Sequence, residues 1–229
     1  MQLTNLEVFN FKGAFRGMRN PMNSWEKSDS DFIYNTELLG PNDIKLAQKL
    51  IKAGNEHRKF LRQILVSFDL TAPLYFWKEF DTYKIGTVSN STSTMHKLAS
   101  TEITKECFEF DDDQLNVIVA SGSVPHGGKY ELVYYDYIDD IIDMCENLRQ
   151  LYNKTKDKKY WRMLIQLLPE SWLQTRTITM NYENVLSIIH QRHNHKLSEW
   201  NWLVKQFKEL PYAYELLFFT LEEKTDEIN

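Results

Sequence analysis

The sequence predicts an α/β (α+β) fold, a single domain over residues 1–229 whose central mixed sheet is covered by helices. Segments with the two-residue period of strands alternate with segments of helical period, without a break in composition. Hydrophobic residues make up 42% of the 229 residues and aromatic residues 14%, which is enough for one large core. This hydrophobic content excludes a wholly disordered chain, and no internal repeat or low-complexity block is present.

Three segments predict the strands of this sheet. Residues 2–11 alternate apolar and polar side chains, and residues 63–71 contain the run of Ile64, Leu65 and Val66. Residues 172–180 alternate and are rich in β-branched side chains.

Helices are predicted from apolar periodicity and from end signals. The first has Asn42 and Asp43 at its start and Gly54 at its end, and the second begins at Pro73, whose missing N–H costs nothing in a first turn. The predicted helices cover residues 41–54, 74–83, 130–152, 160–168, 184–190, 197–210 and 212–223. Loops or turns are predicted at residues 16–25, 85–94, 108–116, 121–129 and 154–159.

The charge balance argues against bulk binding of nucleic acid. Lys and Arg number 27 against 32 Asp and Glu, a formal net charge of −5, whereas nucleic-acid backbones are bound by a surplus of basic side chains. The chain lacks a signal-peptide pattern, and no apolar run approaches the roughly 18 residues of a membrane span. We therefore expect a cytoplasmic protein without a membrane partner, with Cys107 and Cys145 as reduced thiols.

Common catalytic and metal motifs are absent from the sequence. It contains no Walker A, Gly-x-Gly-x-x-Gly or Gly-x-Ser-x-Gly segment, so no catalytic residue is assigned. His190, His193 and His195 do not share one helical face and lack an accompanying carboxylate or cysteine framework, which favours cations at a helix end over metal ligands. The acidic run at residues 111–113 is predicted to be a solvated turn, because it lacks the glycine and final glutamate of a calcium loop.

Two blocks of the sequence resemble the flavin-dependent (alternative) thymidylate synthase family. Residues 73–95 run from a proline through a short helix into a loop rich in Ser and Thr, and align without a gap with the family's Arg-His-Arg block. A second block contains Leu168 and Pro169, then Asn181 at a helix start, and Arg192. The two blocks cover about a third of the chain in the family's order, and the sequence is similar to members from phages and prophages.

The resemblance implies transfer of a one-carbon unit from methylenetetrahydrofolate to a pyrimidine nucleotide, with reduced flavin supplying hydride. It implies FAD as the cofactor and a homo-oligomer, typically a tetramer, with sites shared between subunits. The implied cofactor-binding residues are Thr82, Tyr83, Lys84 and Asn181. The predicted substrate-binding residues are Arg16, Arg19, Lys78, Glu79, Thr87, Ser89, Asn90, Thr92, Glu183 and Arg192. Arg16 and Arg19 among them come from a segment without a counterpart in the family.

The chain departs from the family where the family uses arginine. The Arg-His-Arg positions are taken by Thr82, Tyr83 and Lys84, and further arginine positions by Thr94, Ile165 and Glu183. Losing one cation from a buried anion site costs about 2–5 kcal/mol, so deoxyuridylate should not bind in the family's mode. The alternative function is a non-catalytic protein that has kept the fold to bind a nucleotide, a signal molecule or a protein partner.

Several predicted site residues have a simpler interpretation as well. Glu79 stands where the family reads a base with Gln, and would favour a cytosine-like or guanine-like edge, but beside Lys78 it is also suited to a surface ion pair. The hydroxyl-rich loop at residues 87–94 can cradle an anion or remain a surface loop. Residues 16–25 have no counterpart in the family, and Arg16 and Arg19 either restore anion binding or belong to a solvated turn.

Overall fold

The computed structural model describes residues 1–33, 36–110, 119–126, 129–135 and 137–221. The strands are β1 (Gln2–Phe9), β2 (Asp31–Ile33), β3 (Thr36–Leu38), β4 (Leu65–Pro73), β5 (Val88–Ser91), β6 (Val119–His126), β7 (Lys129–Tyr135) and β8 (Leu173–Asn181). The α-helices are α1 (Phe11–Arg19), α2 (Pro41–Lys52), α3 (Leu74–Phe80), α4 (Thr94–Lys97), α5 (Tyr137–Thr155), α6 (Lys158–Leu167), α7 (Tyr182–Arg192) and α8 (Ser198–Gln206). A π-helical turn follows at Tyr214–Phe218.

A four-stranded sheet has the order β1-β4-β8-β5. Side chains pair across β4 and β8 at Thr71 with Thr175 and at Asp69 with Thr177, so these two strands run antiparallel. Strands β2 and β3 form one antiparallel pair, and β6 and β7 another. The predicted α/β class with a central sheet and covering helices is confirmed.

The chain packs as two compact units. The first unit comprises residues 1, 71–79 and 91–175, and the second comprises residues 2–70, 80–90 and 176–229. In the first unit, Cys145 and Leu148 of α5 and Leu164 of α6 lie in a core cluster with Leu98 and Ile103. In the second unit, Phe11 contacts the edges of Tyr182 and Tyr212, with ring centroids 5.5 and 5.7 Å away. The single domain over residues 1–229 stays a prediction.

The strands and helices expected around the site are confirmed within a few residues. Strand β8 ends at Asn181, where α7 begins, and β4 ends at Pro73, where α3 begins. Pro73 therefore closes a strand, although the sequence predicts that it opens a helix. The acidic run at residues 111–113 and the end of the last predicted helix, residues 222–223, lie outside the described residues.

Three predicted loops or turns are wrong in whole or in part. Residues 16–19 belong to helix α1, because Phe11, Ala14, Phe15 and Met18 form a buried apolar stripe that Gly13 and Gly17 interrupt in the sequence. Strand β5 lies within the predicted loop at residues 85–94, and all four of its residues are exposed, so no alternation marks it. Strands β6 and β7 take up most of residues 119–135, with a register shift between Ala120 and Ser123. The helix predicted at residues 130–152 is therefore wrong at its start, because residues 130–135 belong to β7 and α5 begins at Tyr137.

Candidate functional site

Helix α7 supports the candidate site, and its start is capped by the strand that precedes it. Asn181 stands at the end of β8, and its side-chain oxygen accepts a hydrogen bond of 3.0 Å from the backbone N–H of Asn184. Tyr182 is fully buried, and its hydroxyl donates to the carbonyl of Pro211 at 2.8 Å. The side-chain oxygen of the predicted flavin contact Asn181 is thus used as a helix cap.

The segment from Tyr83 to Thr87 lies along α7, in the opposite direction. Near the helix start, the Asn184 amide donates to the carbonyl of Ile85 and to the Thr87 hydroxyl, both at 2.9 Å. Near the helix end, Tyr83 and Arg192 are joined by a 2.9 Å hydrogen bond. Two segments about 100 residues apart in sequence therefore form one surface.

Gly86 allows this close approach. Its φ is +73°, and a Cβ atom there would lie 2.8 Å from the side-chain nitrogen of Asn181. A larger residue would face both an unfavourable backbone conformation and a steric overlap.

At the C-terminal end of α7, the cationic side chain of Arg192 lies against aromatic side chains. Arg192 lies over the ring of Trp200, with its guanidinium carbon 4.6 Å from the ring centroid, and its Nε donates to the Tyr83 hydroxyl. Tyr83 contacts Trp200 edge-on at 5.7 Å and donates to Gln191 at 2.9 Å. Trp200 is fully buried, so this end of the site is part of the packing of the second unit.

The N-terminal end of α7 carries a charged triad, Arg58–Glu183–Arg62. Arg58 Nε lies 3.1 Å from one carboxylate oxygen of Glu183, and Arg62 bonds to both carboxylate oxygens. Burial would raise the pKa of Glu183, but the hydrogen bonds and charges of both arginines outweigh it, and the pKa lies below its usual value. Two guanidinium groups and one carboxylate give the triad itself a net charge of +1, and the nearby carboxylate of Glu56 interacts electrostatically with Arg62.

The triad changes the interpretation of Glu183, which replaces an arginine of the resembling family. The structure places the Glu183 carboxylate between Arg58 and Arg62, so two cations from another segment of the chain lie at this position. Arg58 and Asn184 were not predicted as site residues, because no local pattern indicates contacts across 125 and 97 residues.

Other predicted site residues lie at the surface. Thr82, Lys84, Ser89, Asn90 and Thr92 are exposed. Thr92 bonds to Thr175 in the first unit at 2.8 Å. Lys78 pairs with Glu170 at 2.8 Å, with both side chains more than half exposed, and Glu79 is half-buried.

The two arginines of the unmatched segment have different surroundings. Arg16 is exposed on α1, whereas Arg19 is buried and bonds to Asp43 of α2 at 2.6 Å. Ser28 and Ser30 donate to the other oxygen of Asp43 at 2.6 and 2.5 Å. Burial would raise the pKa of Asp43, but these hydrogen bonds and the Arg19 charge hold it below its usual value. Arg19 therefore has a structural role in the second unit.

Two clefts of the second unit share Met22, Ser24 and Leu46 in their linings. One has a volume of about 730 Å³ and contains Arg19, and the other, of about 550 Å³, contains His57 and Gln63. The unmatched segment thus lines concave surface, but Arg16 is in neither lining and Arg19 is paired with Asp43, so anion binding by these two residues stays a prediction.

The three histidines near the end of α7 do not form a cluster. His190 bonds to Thr220 and His195 to Arg192, while His193 lies against the carbonyl of Ile189. Within the described ranges, no group of three His, Cys, Asp or Glu side chains has a geometry that could hold a metal ion. In the same part of the chain, no helix has the length and apolarity to cross a membrane.

The fold is that of the flavin-dependent thymidylate synthases. Two crystal structures of flavin-dependent thymidylate synthase ThyX from Helicobacter pylori, each complexed with FAD and dUMP, match with TM-scores of 0.65. They share 18% sequence identity with this chain and align with 95% of it, covering 98% and 97% of their own chains. No model of a known protein family and no curated protein sequence matches.

The residues at the expected flavin positions do not match a flavin site within one chain. Residues 82–84 supply a single cation, Lys84, where the resembling family has Arg-His-Arg. The Tyr83 hydroxyl is bonded to Gln191 and Arg192, and Asn181 caps α7. A flavin diphosphate is normally neutralised by several charge-assisted hydrogen bonds, which these residues do not provide.

Proposed function

We propose that this protein binds a nucleotide-like anion on the surface formed by the start of α7, residues 85–90 and the Arg58–Glu183–Arg62 triad. The observation that supports it is the triad itself. The chain lacks the family's arginine at position 183, yet Arg58 and Arg62 give the three residues of the triad a net charge of +1.

The electrostatic surroundings favour an anion there. The Arg62 side chain is 51% exposed, so its unused N–H groups can reach a ligand, whereas Glu183 is 11% exposed and turned toward the arginines. The N-terminus of α7 adds a partial positive charge of about half a unit. A phosphate at the start of α7 can accept from Arg62, and the Thr87 hydroxyl lies at the same end of the helix, bonded to Asn184 at 2.9 Å.

A second candidate function, flavin-dependent one-carbon transfer to a pyrimidine nucleotide, is favoured by the likeness to structures that contain FAD and dUMP. The replaced arginines and the engaged Tyr83 and Asn181 support the non-catalytic binder instead.

We propose further that the protein is a cytoplasmic homo-oligomer of phage or prophage type. Exposure of Thr82, Lys84, Ser89 and Asn90 is consistent with a site that a second subunit completes.

The test combines a spectrum with binding measurements. Purified protein is examined for flavin absorbance before and after incubation with FAD, and then titrated with dUMP, dCMP and dGMP in a thermal shift assay. A ligand at 100 times its Kd stabilises the fold by about 2.7 kcal/mol, which such an assay resolves. A colourless protein that binds a nucleotide supports the binder, and one that takes up FAD supports the enzyme.

Two variants connect the binding to the triad. Arg58→Ala with Arg62→Ala removes the net positive charge and should abolish nucleotide binding. Glu183→Gln removes the negative charge and should tighten it. Lys159→Ala, in an exposed pair with Asp157, is the control for a general loss of positive charge. Nucleotide affinity that is unchanged in the double variant would contradict the proposed site.

A further inference from the structure

A second basic and aromatic cleft lies in the second unit, between helix α8 and the segment that follows it. Its volume is about 440 Å³. The described residues that line it include no acidic side chain and are mostly basic, aromatic or amide: His193, Asn201, Lys205, Lys208, Tyr214 and Phe218. It shares no lining residue with the Arg58–Glu183–Arg62 triad or with the two clefts near α1.

The two lysines of this cleft are not paired with a carboxylate within the described ranges. Lys205 and Lys208 are exposed and make no salt bridge with any residue in the described part of the chain. They stand three positions apart, at the end of α8 and in the 3₁₀ turn that follows, so their charges repel each other on one side of the helix. An anion bound between them would relieve that repulsion.

The aromatic side chains supply a surface for a ring. Phe218 is 5% exposed and Tyr214 is 50% exposed, with ring centroids 6.0 Å apart. The ammonium group of Lys208 lies 5.7 Å from the Phe218 ring centroid, which places a cation beside the aromatic surface. Both aromatic residues belong to the π-helical turn Tyr214–Phe218, and such turns occur frequently at functional sites.

We propose that this cleft binds a small ligand that combines a planar aromatic ring with a negatively charged group, of the size and chemistry of a nucleoside monophosphate. The ring packs on Tyr214, and the anionic group is bound by Lys205 and Lys208. One N–H of the Asn201 amide donates to the carbonyl of His195, and the other is the donor to the ligand. The cleft volume lies in the range typical of small-molecule sites, about 300–1,000 Å³. This site is independent of the proposed nucleotide site on α7.

The experiment measures binding of AMP, adenosine and inorganic phosphate to the full chain by isothermal titration calorimetry. AMP is expected to bind, and adenosine and phosphate to bind at least tenfold more weakly, because each provides only half of the interactions. Lys205→Ala with Lys208→Ala should weaken AMP at least tenfold, and so should Tyr214→Ala. Tyr214→Phe should retain the affinity. Lys196→Ala, an exposed cation outside the cleft, is the matched control.

The outcomes separate this site from the one on α7. Loss of AMP binding in the Lys205 and Lys208 variant, with retention in Arg62→Ala, supports the proposal. Loss only in Arg62→Ala would overturn it, because AMP would then occupy the α7 site. Equal binding of phosphate and AMP, or no effect of Tyr214→Ala, would also overturn it, since the ring would contribute nothing.

Discussion

The second unit contains two arginine–carboxylate sites that differ in whether an arginine remains accessible to a ligand. In the pair Arg19–Asp43, the side chains are 5% and 0% exposed, and Ser28 and Ser30 fill the remaining carboxylate oxygen. In the triad, one carboxylate is shared by two arginines, and Arg62 is 51% exposed. The same chemistry is thus closed and neutral in one place and open with a spare positive charge in the other.

The difference predicts opposite effects of mutation. A closed, buried ion pair contributes to folding chiefly because removal of one partner leaves the other charged and without water. An open pair contributes little to folding, since solvent screens it, but its free donors can bind a ligand.

The largest effect is expected from Asp43→Ala. It leaves the Arg19 guanidinium buried and unpaired and also removes the acceptor of Ser28 and Ser30, which should cost about 3–5 kcal/mol of unfolding free energy. Urea unfolding followed by circular dichroism measures it. Glu170→Ala, which removes an exposed partner of Lys78, should keep a midpoint near that of the unmodified protein. An equally small change in both variants would show that the Arg19 site does not hold the fold.

Acid should weaken both sites together. The pKa values of Asp43 and Glu183 lie below their ordinary values of 3.8 and 4.5, because hydrogen bonds and arginine charges outweigh the effect of burial. A carboxyl with a lowered pKa in the folded state stabilises the fold fully above its unfolded pKa and loses that contribution as the pH falls. Glu146, whose pKa is held at about 2 by its hydrogen bond with Arg149, behaves in the same way in the first unit.

Urea midpoints measured from pH 7 to pH 3 should therefore be constant down to about pH 5 and then fall. The decline should be shallower in Glu183→Gln, which has one such carboxyl fewer. Stability that rises on acidification would contradict the pairing of these groups.

A smaller loss is expected from Gly86→Ala, with Gly54→Ala as a matched control. Both glycines have a positive φ, +73° and +97°, so alanine costs about 1–2 kcal/mol at either position. At Gly54 a Cβ meets nothing within 4 Å, whereas at Gly86 it meets Asn181. Thermal unfolding should show a larger loss for Gly86→Ala, together with weaker nucleotide binding. Equal losses and unchanged binding would separate the loop from the proposed site.

Regular local patterns made most of the fold predictable from sequence. Strands β1, β4 and β8 alternate or form apolar runs, and α7 has Asn181 at the position of a helix cap, so their bounds were close. Strand β5 could not be found in this way, because it is exposed on both faces and is held by pairing in the sheet. In α1, two glycines obscured an apolar stripe whose burial determines the helix.

The sequence predicted which segments of the chain contribute to the candidate site, but not which residues contact each other there. The sequence indicated that Glu183 replaces a cation, which by itself suggests a lost anion site. That Arg58 and Arg62 surround it depends on contacts across more than 120 residues, which no local spacing encodes. In the same way, Arg19 is a basic residue beside a predicted turn of the sequence. Only the fold shows that Asp43 neutralises the charge of its guanidinium group.

The smallest effect on stability, and the clearest test of the open site, is expected from Arg62→Ala. Because its side chain is half exposed, its loss should change the unfolding free energy by at most about 1 kcal/mol. The net charge of the remaining pair of Arg58 and Glu183 is zero, so affinity for a nucleotide should fall about tenfold, as when one charged donor is removed. Urea unfolding and a nucleotide titration on the same preparation measure both quantities. If Arg62→Ala destabilised the protein as much as Asp43→Ala, the triad would be a second closed pair, and its spare charge would have no part in binding.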